Sequence, residues 1–374
     1  MRRIKVLHLT STRYGIGGVE KLLLDMSDKY DSAKFEVSYC NLFCDAQGKG
    51  VFPTALRNRG LKFFQINGNT WRDVPSMSIE LLRLLKSQRF DIVHLHMLQA
   101  TIVGGFATKF ARGSRVVVTK HYTDDMLKQS SVVKRLDNLF TKRANRIAAI
   151  SNNVKRDMVD LGIPEAKIKV IYNGTDIRKF DARAQEKSTF TVGKEADPFL
   201  IGTVGSLTER KGHRYLLEAM PAILKKNSNV HLIVIGEGPE KEMLEKLRGE
   251  LRLESAITML GFQENVAPIL KQMDVYVHPS VHEPFGIAVL EAMAAAKCVV
   301  ATAVGGVPEI VSPGVTGYLV RAESSRELSS AISATLEERE NTLKMGENGR
   351  SRVSEMFDID VTVRGYESLY QEII

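Results

Sequence analysis

Two carboxylates, Glu283 and Glu291, stand eight residues apart and enclose Pro284-Phe285-Gly286-Ile287. Strong helix formers follow as far as Lys297. Pro costs nothing in a first helical turn, because its missing N–H has no intrahelical partner there. The pattern predicts a helix that starts between Pro284 and Gly286, with Glu283 at its mouth. At a rise of 1.5 Å per residue the two carboxylates lie about 12 Å apart along the axis. An acid–base pair acting on one bond needs roughly 5–9.5 Å, so they do not form one. They suit the two ends of a long ligand, with the N–H groups of the helix start facing an anion between them. Hydroxyls, then phosphates, then hydroxyls is the order of groups in a sugar–diphosphate–nucleoside. The bland alternative is an amphipathic helix carrying two solvated glutamates.

Other residues add to this chemistry. Arg210 and Lys211, in Gly205-Ser206-Leu207-Thr208-Glu209-Arg210-Lys211-Gly212, sit where a strand gives way to a helix. Cations at a helix start oppose its dipole by about 0.3–1 kcal/mol each. An anion held there, such as a phosphate, reverses that sign; solvated surface cations are the alternative. Gly15-Ile16-Gly17-Gly18-Val19-Glu20 places glycines at the first strand–helix turn, where backbone can approach an anion. The dinucleotide fingerprint needs Gly where Glu20 stands, and a plain tight turn fits equally well. His121 follows a strand, at the edge where open α/β sheets hold ligands. His94 and His96 alternate along another strand and read as structural, with no third metal ligand in sight.

Hydrophobic residues are 44% and charged residues 26% of the chain, as in soluble globular proteins. Three cysteines, Cys40, Cys44 and Cys298, give neither a disulfide framework nor a metal-type pair, which points to a reducing, cytoplasmic compartment. The basic, then apolar start reads as a buried first strand, being too short and interrupted for a signal peptide. No apolar run reaches the roughly 18 residues of a membrane span. Residues 1–180 carry 31 Lys+Arg against 16 Asp+Glu, and residues 181–374 carry 21 against 28. The basic half suits an anionic partner such as nucleic acid, lipid or substrate.

To position these residues the chain alternates short apolar runs with helical patterns. Ile4–Leu9, Phe35–Leu42, Asp91–Leu95, Arg115–Val118 and Ile147–Ile150 read as strands of one half. Leu200–Val204, His231–Ile235, Ala256–Leu260, Asp274–Val277 and Cys298–Ala301 read as strands of the other. Such runs between helices predict two doubly wound parallel α/β domains, 1–180 and 181–357, with a linker at Phe180–Pro198. Met126–Arg146 reads as an amphipathic helix. Val132, Val133, Leu136, Leu139 and Phe140 form its apolar stripe, and Lys128, Lys134, Arg135, Lys142, Arg143 and Arg146 its basic side. It could lie on an anionic bilayer or pack on its own sheet.

Taken in order, these motifs resemble the family-four retaining glycosyltransferases of the glycosyltransferase-B fold, over nearly the whole chain. The residues that carry the likeness begin with Gly17-Gly18-Val19-Glu20, Ile150-Ser151 and Val170-Ile171-Tyr172-Asn173-Gly174-Thr175-Asp176. Val204-Gly205-Ser206-Leu207 with Lys211-Gly212, Ile235-Gly236-Glu237-Gly238-Pro239 and Gly261-Phe262 continue it. The Glu283–Glu291 motif, Gly305-Gly306-Val307-Pro308-Glu309 and Gly314-Val315-Thr316-Gly317 complete it.

The resemblance implies two facing Rossmann-like domains, the donor in the cleft, and a final helix, 358–374, crossing back to the first domain. The basic half would bind the acceptor, a glycan, a lipid-linked or a small molecule, and nucleic acid is not an expected partner. Glu283 would contact the donor sugar and Glu291 the ribose. Phe285, Gly286 and Ile287 would offer backbone N–H groups, and Ser206 and Phe262 would border the donor. Lys211, with Arg210 beside it, would neutralise the diphosphate, and Gly17 and Gly18 would close on it. His121 would sit beside the anomeric centre. The family usually has Arg where this chain has Ser206, and Arg210 is the candidate replacement. A UDP-sugar donor, retention of configuration, hexosyl transfer without cofactor or metal, and a role in polysaccharide or glycoconjugate synthesis at the inner membrane face complete the expectation. A nucleotide-sugar 2-epimerase of the same fold, a non-catalytic nucleotide-sugar sensor and a nicotinamide-dependent oxidoreductase are the rival readings.

Overall fold

The computed structural model describes residues 2–12, 17–43, 50–68, 70–111, 113–123, 130–188, 190 and 198–374. They divide into two units, Met1–Gly174 with Ile359–Ile374, and Thr175–Asp358. The first runs β1 (Ile4–Thr10), α1 (Gly18–Met26), β2 (Phe35–Phe43), α2 (Val51–Asn58), β3 (Phe63–Gly68), α3 (Val74–Gln88), β4 (Ile92–His96), α4 (Leu98–Phe110), β5 (Arg115–Lys120), α5 (Ser131–Arg143), β6 (Arg146–Ala149), α6 (Asn152–Asp160) and β7 (Ile168–Val170). The second runs α7 (Ile177–Ala184), β8 (Phe199–Val204), α8 (His213–Lys226), β9 (Val230–Ile235), α9 (Lys241–Glu250), β10 (Ile257–Gly261), α10 (Ala267–Gln272), β11 (Val275–His278), α11 (Ile287–Ala294), β12 (Cys298–Thr302), α12 (Val307–Ile310), β13 (Gly317–Val320), α13 (Ser325–Glu337) and α14 (Arg339–Met356). A last helix, α15 (Ile359–Gln371), belongs to the first unit.

Each unit holds one parallel sheet, ordered β3-β2-β1-β4-β5-β6-β7 and β10-β9-β8-β11-β12-β13. Every residue of β4 and of β12 is buried, as strands covered on both faces must be. In both sheets the chain starts at an inner strand, winds outward one way, then returns and winds the other. Each order therefore reverses once, between β1 and β4 and between β8 and β11. Strands β3, β7 and β13 were not legible as apolar runs. All three are sheet edges, half-exposed and mixed in composition, with Gln65 and Asn67, Lys169, or Tyr318 among their residues.

The division between units lies at Gly174/Thr175, not at 180/181. Thr175 bridges Asp358, and its N–H donates to the Phe357 carbonyl at 2.9 Å. Asp176 then caps α7, its carboxylate accepting from the Lys179 N–H at 3.0 Å. Phe180–Ala184, expected as linker, are therefore helical. Residues 189 and 191–197 of that linker, Cys44 and Lys128 lie outside the described residues. In α5 the expected single stripe is split. Val133, Leu136 and Phe140 pack toward Leu98 and Ile102 of α4, while Val132 and Leu139 are 62% and 41% exposed.

Helix α15 carries Ile359, Val363, Tyr366, Leu369 and Tyr370 on one stripe. All five are buried in the first unit's core with Val6, Leu22, Met26, Phe35, Ile92 and Val117. Polar ties fix its register. Thr362 donates to the Tyr172 carbonyl at 2.9 Å, and Glu367 accepts from the Asp31 N–H at 2.7 Å. Tyr366→Ala is expected to destabilise the first unit by about 3–5 kcal/mol. Arg364→Ala, on the exposed side of the same helix, should stay within about 0.5 kcal/mol. Urea unfolding of the two variants measures the contrast.

Candidate functional site

Ligands in open α/β sheets bind beyond the carboxyl ends of the strands, where the order reverses. In the second unit that point lies between β8 and β11. The loop after β8 passes through a single 3-10 turn, Glu209–Lys211, into α8, and the loop after β11 leads into α11. The two loops hold each other. The Val281 and His282 N–H groups both donate to the Arg210 carbonyl, at 2.8 and 3.2 Å. The Arg210 guanidinium donates to the His282 carbonyl at 3.3 Å.

Lys211 and Glu283 meet across this junction, Nζ to Oε2 at 2.5 Å, with side chains only 14% and 9% exposed. His278 Nε2 lies 2.9 Å from the same carboxylate oxygen. Burial alone would raise the Glu283 carboxyl; the Lys211 charge and the His278 hydrogen bond outweigh it and hold the group well below the ordinary carboxylate range. Burial keeps His278 itself below its usual value, against the opposing pull of Glu283. Ser280 and Tyr276 flank the imidazole at 3.1 Å from Nε2 and 3.3 Å from Nδ1. A third loop closes on Glu283 from behind. Gly305, at φ 54°, passes so near that a Cβ there would lie 1.8 Å from the Glu283 carbonyl oxygen. Gly306 donates to that oxygen at 3.1 Å.

Helix α11 starts at Ile287. Gly286 precedes it at φ 120° and ψ 60°, a region closed to residues with a Cβ, and no side chain caps the helix. Val289 and Leu290 return their N–H groups to the Gly286 carbonyl at 3.0 and 3.3 Å, so those of Ile287 and Ala288 are the ones a helix start leaves for a ligand. Glu291 is 6% exposed and Glu283 9%, so neither is a solvated glutamate of an amphipathic helix. Phe285 is a core side chain, 2% exposed and edge-on to Phe357 at 6.0 Å; only its backbone can serve a ligand. Ser206 is exposed, and so is Phe262, at 72%, directly beyond β10. His278 was missed by sequence reasoning because a lone strand-end histidine carries no motif.

In the first unit the reversal lies between β1 and β4. The glycine turn follows β1; residues 13–16 of it lie outside the described ones. Gly17 caps α1, and its N–H donates to Glu20 at 2.8 Å. The other Glu20 oxygen accepts from the Thr12 hydroxyl. His121 follows β5 and lies 3.1 Å from His96, Nε2 to Nδ1. A third histidine joins His94 and His96. His8 on β1 stands opposite His94 in register, and one nitrogen from each of the three lies within 4.8 Å of the others. That spacing admits a metal ion, but each of these nitrogens is already hydrogen-bonded to protein. His8 bonds Tyr30 and His96, His94 bonds Tyr370 and Thr119, and His96 bonds His8 and His121.

Two wound parallel sheets, each with charged or imidazole groups at its reversal point, define a glycosyltransferase-B architecture. Known proteins agree. Residues 16–179 match the family described as Glycosyltransferase Family 4, and residues 184–352 match Glycosyl transferases group 1. An uncharacterized glycosyltransferase of Methanocaldococcus jannaschii is 33% identical over 67% of both chains. The Escherichia coli UDP-Gal:alpha-D-GlcNAc-diphosphoundecaprenol alpha-1,3-galactosyltransferase is 26% identical, covering 100% of this chain and 98% of its own. The solved Anabaena Alr3699/HepE in complex with UDP superposes with a TM-score of 0.85 at 23% identity, over 99% of this chain and 100% of its own. The chain belongs to the group 1 glycosyltransferases.

Burial lowers the imidazoles of His8 and His121 to about 3 and those of His94, His96 and His278 in the same direction; it also lowers His213, the buried first residue of α8, to about 3. In the unfolded chain they protonate near 6.5. Between that value and about 3 the unfolded state binds more protons, so stability falls on acidification. The melting midpoint is expected to drop between pH 7 and pH 5; a level midpoint would contradict the burial of these rings.

Proposed function

We propose that the chain moves a hexose from a UDP-sugar to a glycan, lipid-linked or small-molecule acceptor, with retention of anomeric configuration and without a metal ion. The buried Lys211–Glu283 pair beside the uncapped start of α11 carries this reading. The demanding event is departure of a nucleoside diphosphate, whose negative charge grows in the transition state. An ammonium has three donors, and Glu283 uses one, which leaves two for phosphate oxygens. Arg210 and the first-turn N–H groups of α11 add fixed positive potential. Glu283 is held ionised, so it cannot act as a proton donor; it accepts hydrogen bonds from the sugar hydroxyls. Glu291 takes the ribose hydroxyls, and Ser206 and Phe262 border the donor. Gly17, Gly18 and His121, beyond the strand ends of the first sheet, are the groups that the first unit offers a ligand. The Anabaena structure contains UDP and the E. coli relative is named for UDP-Gal, which supports a UDP-sugar.

Lys211→Glu is expected to lower kcat/KM at least about 100-fold, with the circular dichroism spectrum unchanged, and Lys211→Gln to fall in between. A rate within tenfold of wild type for Lys211→Glu refutes the diphosphate assignment. NMR of the freshly formed product reads its anomeric configuration, and EDTA should leave the rate as it was.

A lipid-linked acceptor fits a further surface. No helix among the described residues is long and apolar enough to cross a membrane. On α5, Val132, Arg135, Leu139 and Arg143 share one exposed stripe, and Phe106 of α4, whose ring meets Phe140 of α5, is exposed as well. We propose that this face rests on anionic lipid at the inner face of the membrane. Flotation with anionic vesicles is expected to recover the protein in a salt-sensitive way. Recovery unchanged after substitution of Lys134, Arg135, Lys142 and Arg143 by Ser would remove the helix from consideration.

A further inference from the structure

Beneath the ligand edge of the first sheet lies a row of buried polar rings. The Tyr30 hydroxyl is 3.2 Å from His8 Nε2. His8 Nδ1 is 2.9 Å from His96 Nε2, and His96 Nδ1 is 3.1 Å from His121 Nε2. The row ends at His121 Nδ1, which is buried and has no hydrogen-bond partner among the described residues. The strand pairing builds it: His8, on β1, and His96, on β4, belong to neighbouring strands, and His121 follows the next strand, β5.

A neutral imidazole donates from one nitrogen and accepts at the other. A row of neutral rings therefore has a single direction, and the proton at one end decides the proton at the other. These rings are neutral, since burial disfavours their charged forms. With the Tyr30 proton on His8 Nε2, His8 donates from Nδ1 to His96, and His96 donates from Nδ1 to His121 Nε2. His121 then carries its own proton at Nδ1. In the opposite direction His8 donates from Nε2 to the Tyr30 oxygen, the Tyr30 proton turns to Tyr370, which also hydrogen-bonds it, and His121 Nδ1 is left a bare lone pair.

We propose that Tyr30, His8 and His96 are positioning residues that hold His121 as the Nδ1–H tautomer, so that it presents a hydrogen-bond donor to a sugar oxygen. This deepens the glycosyl-transfer reading and rests on it for the identity of the ligand, though not for the tautomer. The same geometry argues against a metal among these histidines, because an ion would have to displace bonds already made on both sides of each ring.

Selective ¹⁵N labelling of histidine in the full chain, read by two-bond ¹H–¹⁵N correlation, reports the tautomer directly; the signals that vanish in His121→Gln assign it. The expected wild-type result is His121 protonated at Nδ1 and bare at Nε2. Tyr30→Phe removes one hydroxyl from the far end of the row. It is expected to move His121 toward Nε2–H, which the free side chain favours. It should also lower kcat about three- to tenfold with KM for the UDP-sugar within about twofold. His96→Asn, which keeps a donor near the Nδ1 position, should retain more of the Nδ1–H form than His96→Leu. Wild-type His121 protonated at Nε2, or a Tyr30→Phe spectrum unchanged at His121, overturns the proposal. One equivalent of zinc in the purified protein overturns it too. An Nδ1–H signal in a protein that transfers no sugar upholds the row and refutes the glycosyl-transfer reading instead.

Discussion

An ammonium and a carboxylate pressed together at a nearly dry strand end govern the second unit. Lys211 and Glu283 come from loops 72 residues apart in sequence, and neither could remain charged there alone, because an unpaired buried ion costs several kcal/mol. As a stabiliser such a pair is weak, since desolvation offsets most of the attraction. Its effect is positional. It fixes a positive charge where the sheet order reverses, and His278 meets the same carboxylate oxygen. The surrounding backbone serves the same arrangement: Arg210 clasps the neighbouring loop, and Gly305 lets a third loop press against Glu283.

The first unit answers the same topological problem with uncharged groups. Its reversal point carries neutral imidazoles, and the glycine turn is braced by Glu20 through Thr12 and Gly17. The second sheet's reversal point thus holds a buried ion pair, and the first sheet's a set of hydrogen-bonded rings.

Inner strands were legible because each is covered on both faces and so must be apolar along its length. Edge strands β3, β7 and β13 carry polar residues on a half-exposed side, and no apolar run marks them. Arg210 and Lys211 could be picked out because cations beside a helix start oppose its dipole, and Glu283 and Glu291 because their eight-residue spacing brackets such a start. His278 and His8 could not, for a different reason. Their meaning comes from pairing register and from loops joined in space, and neither leaves a trace in local spacing. The α5 stripe misled because alternation of apolar and basic residues does not reveal which of the apolar ones face the neighbouring helix.

Helix α15 completes the core of the first sheet with residues from the last part of the chain. A ribosome therefore delivers Val6, Leu22 and Phe35 more than 300 residues before the tyrosines that cover them. The second unit, continuous from Thr175 to Asp358, has everything it needs before α15 emerges. Synthesis thus inverts the expected order, and the amino-terminal unit matures last. Throughout that interval the apolar face that Tyr366 and Tyr370 later cover stays open on the nascent chain.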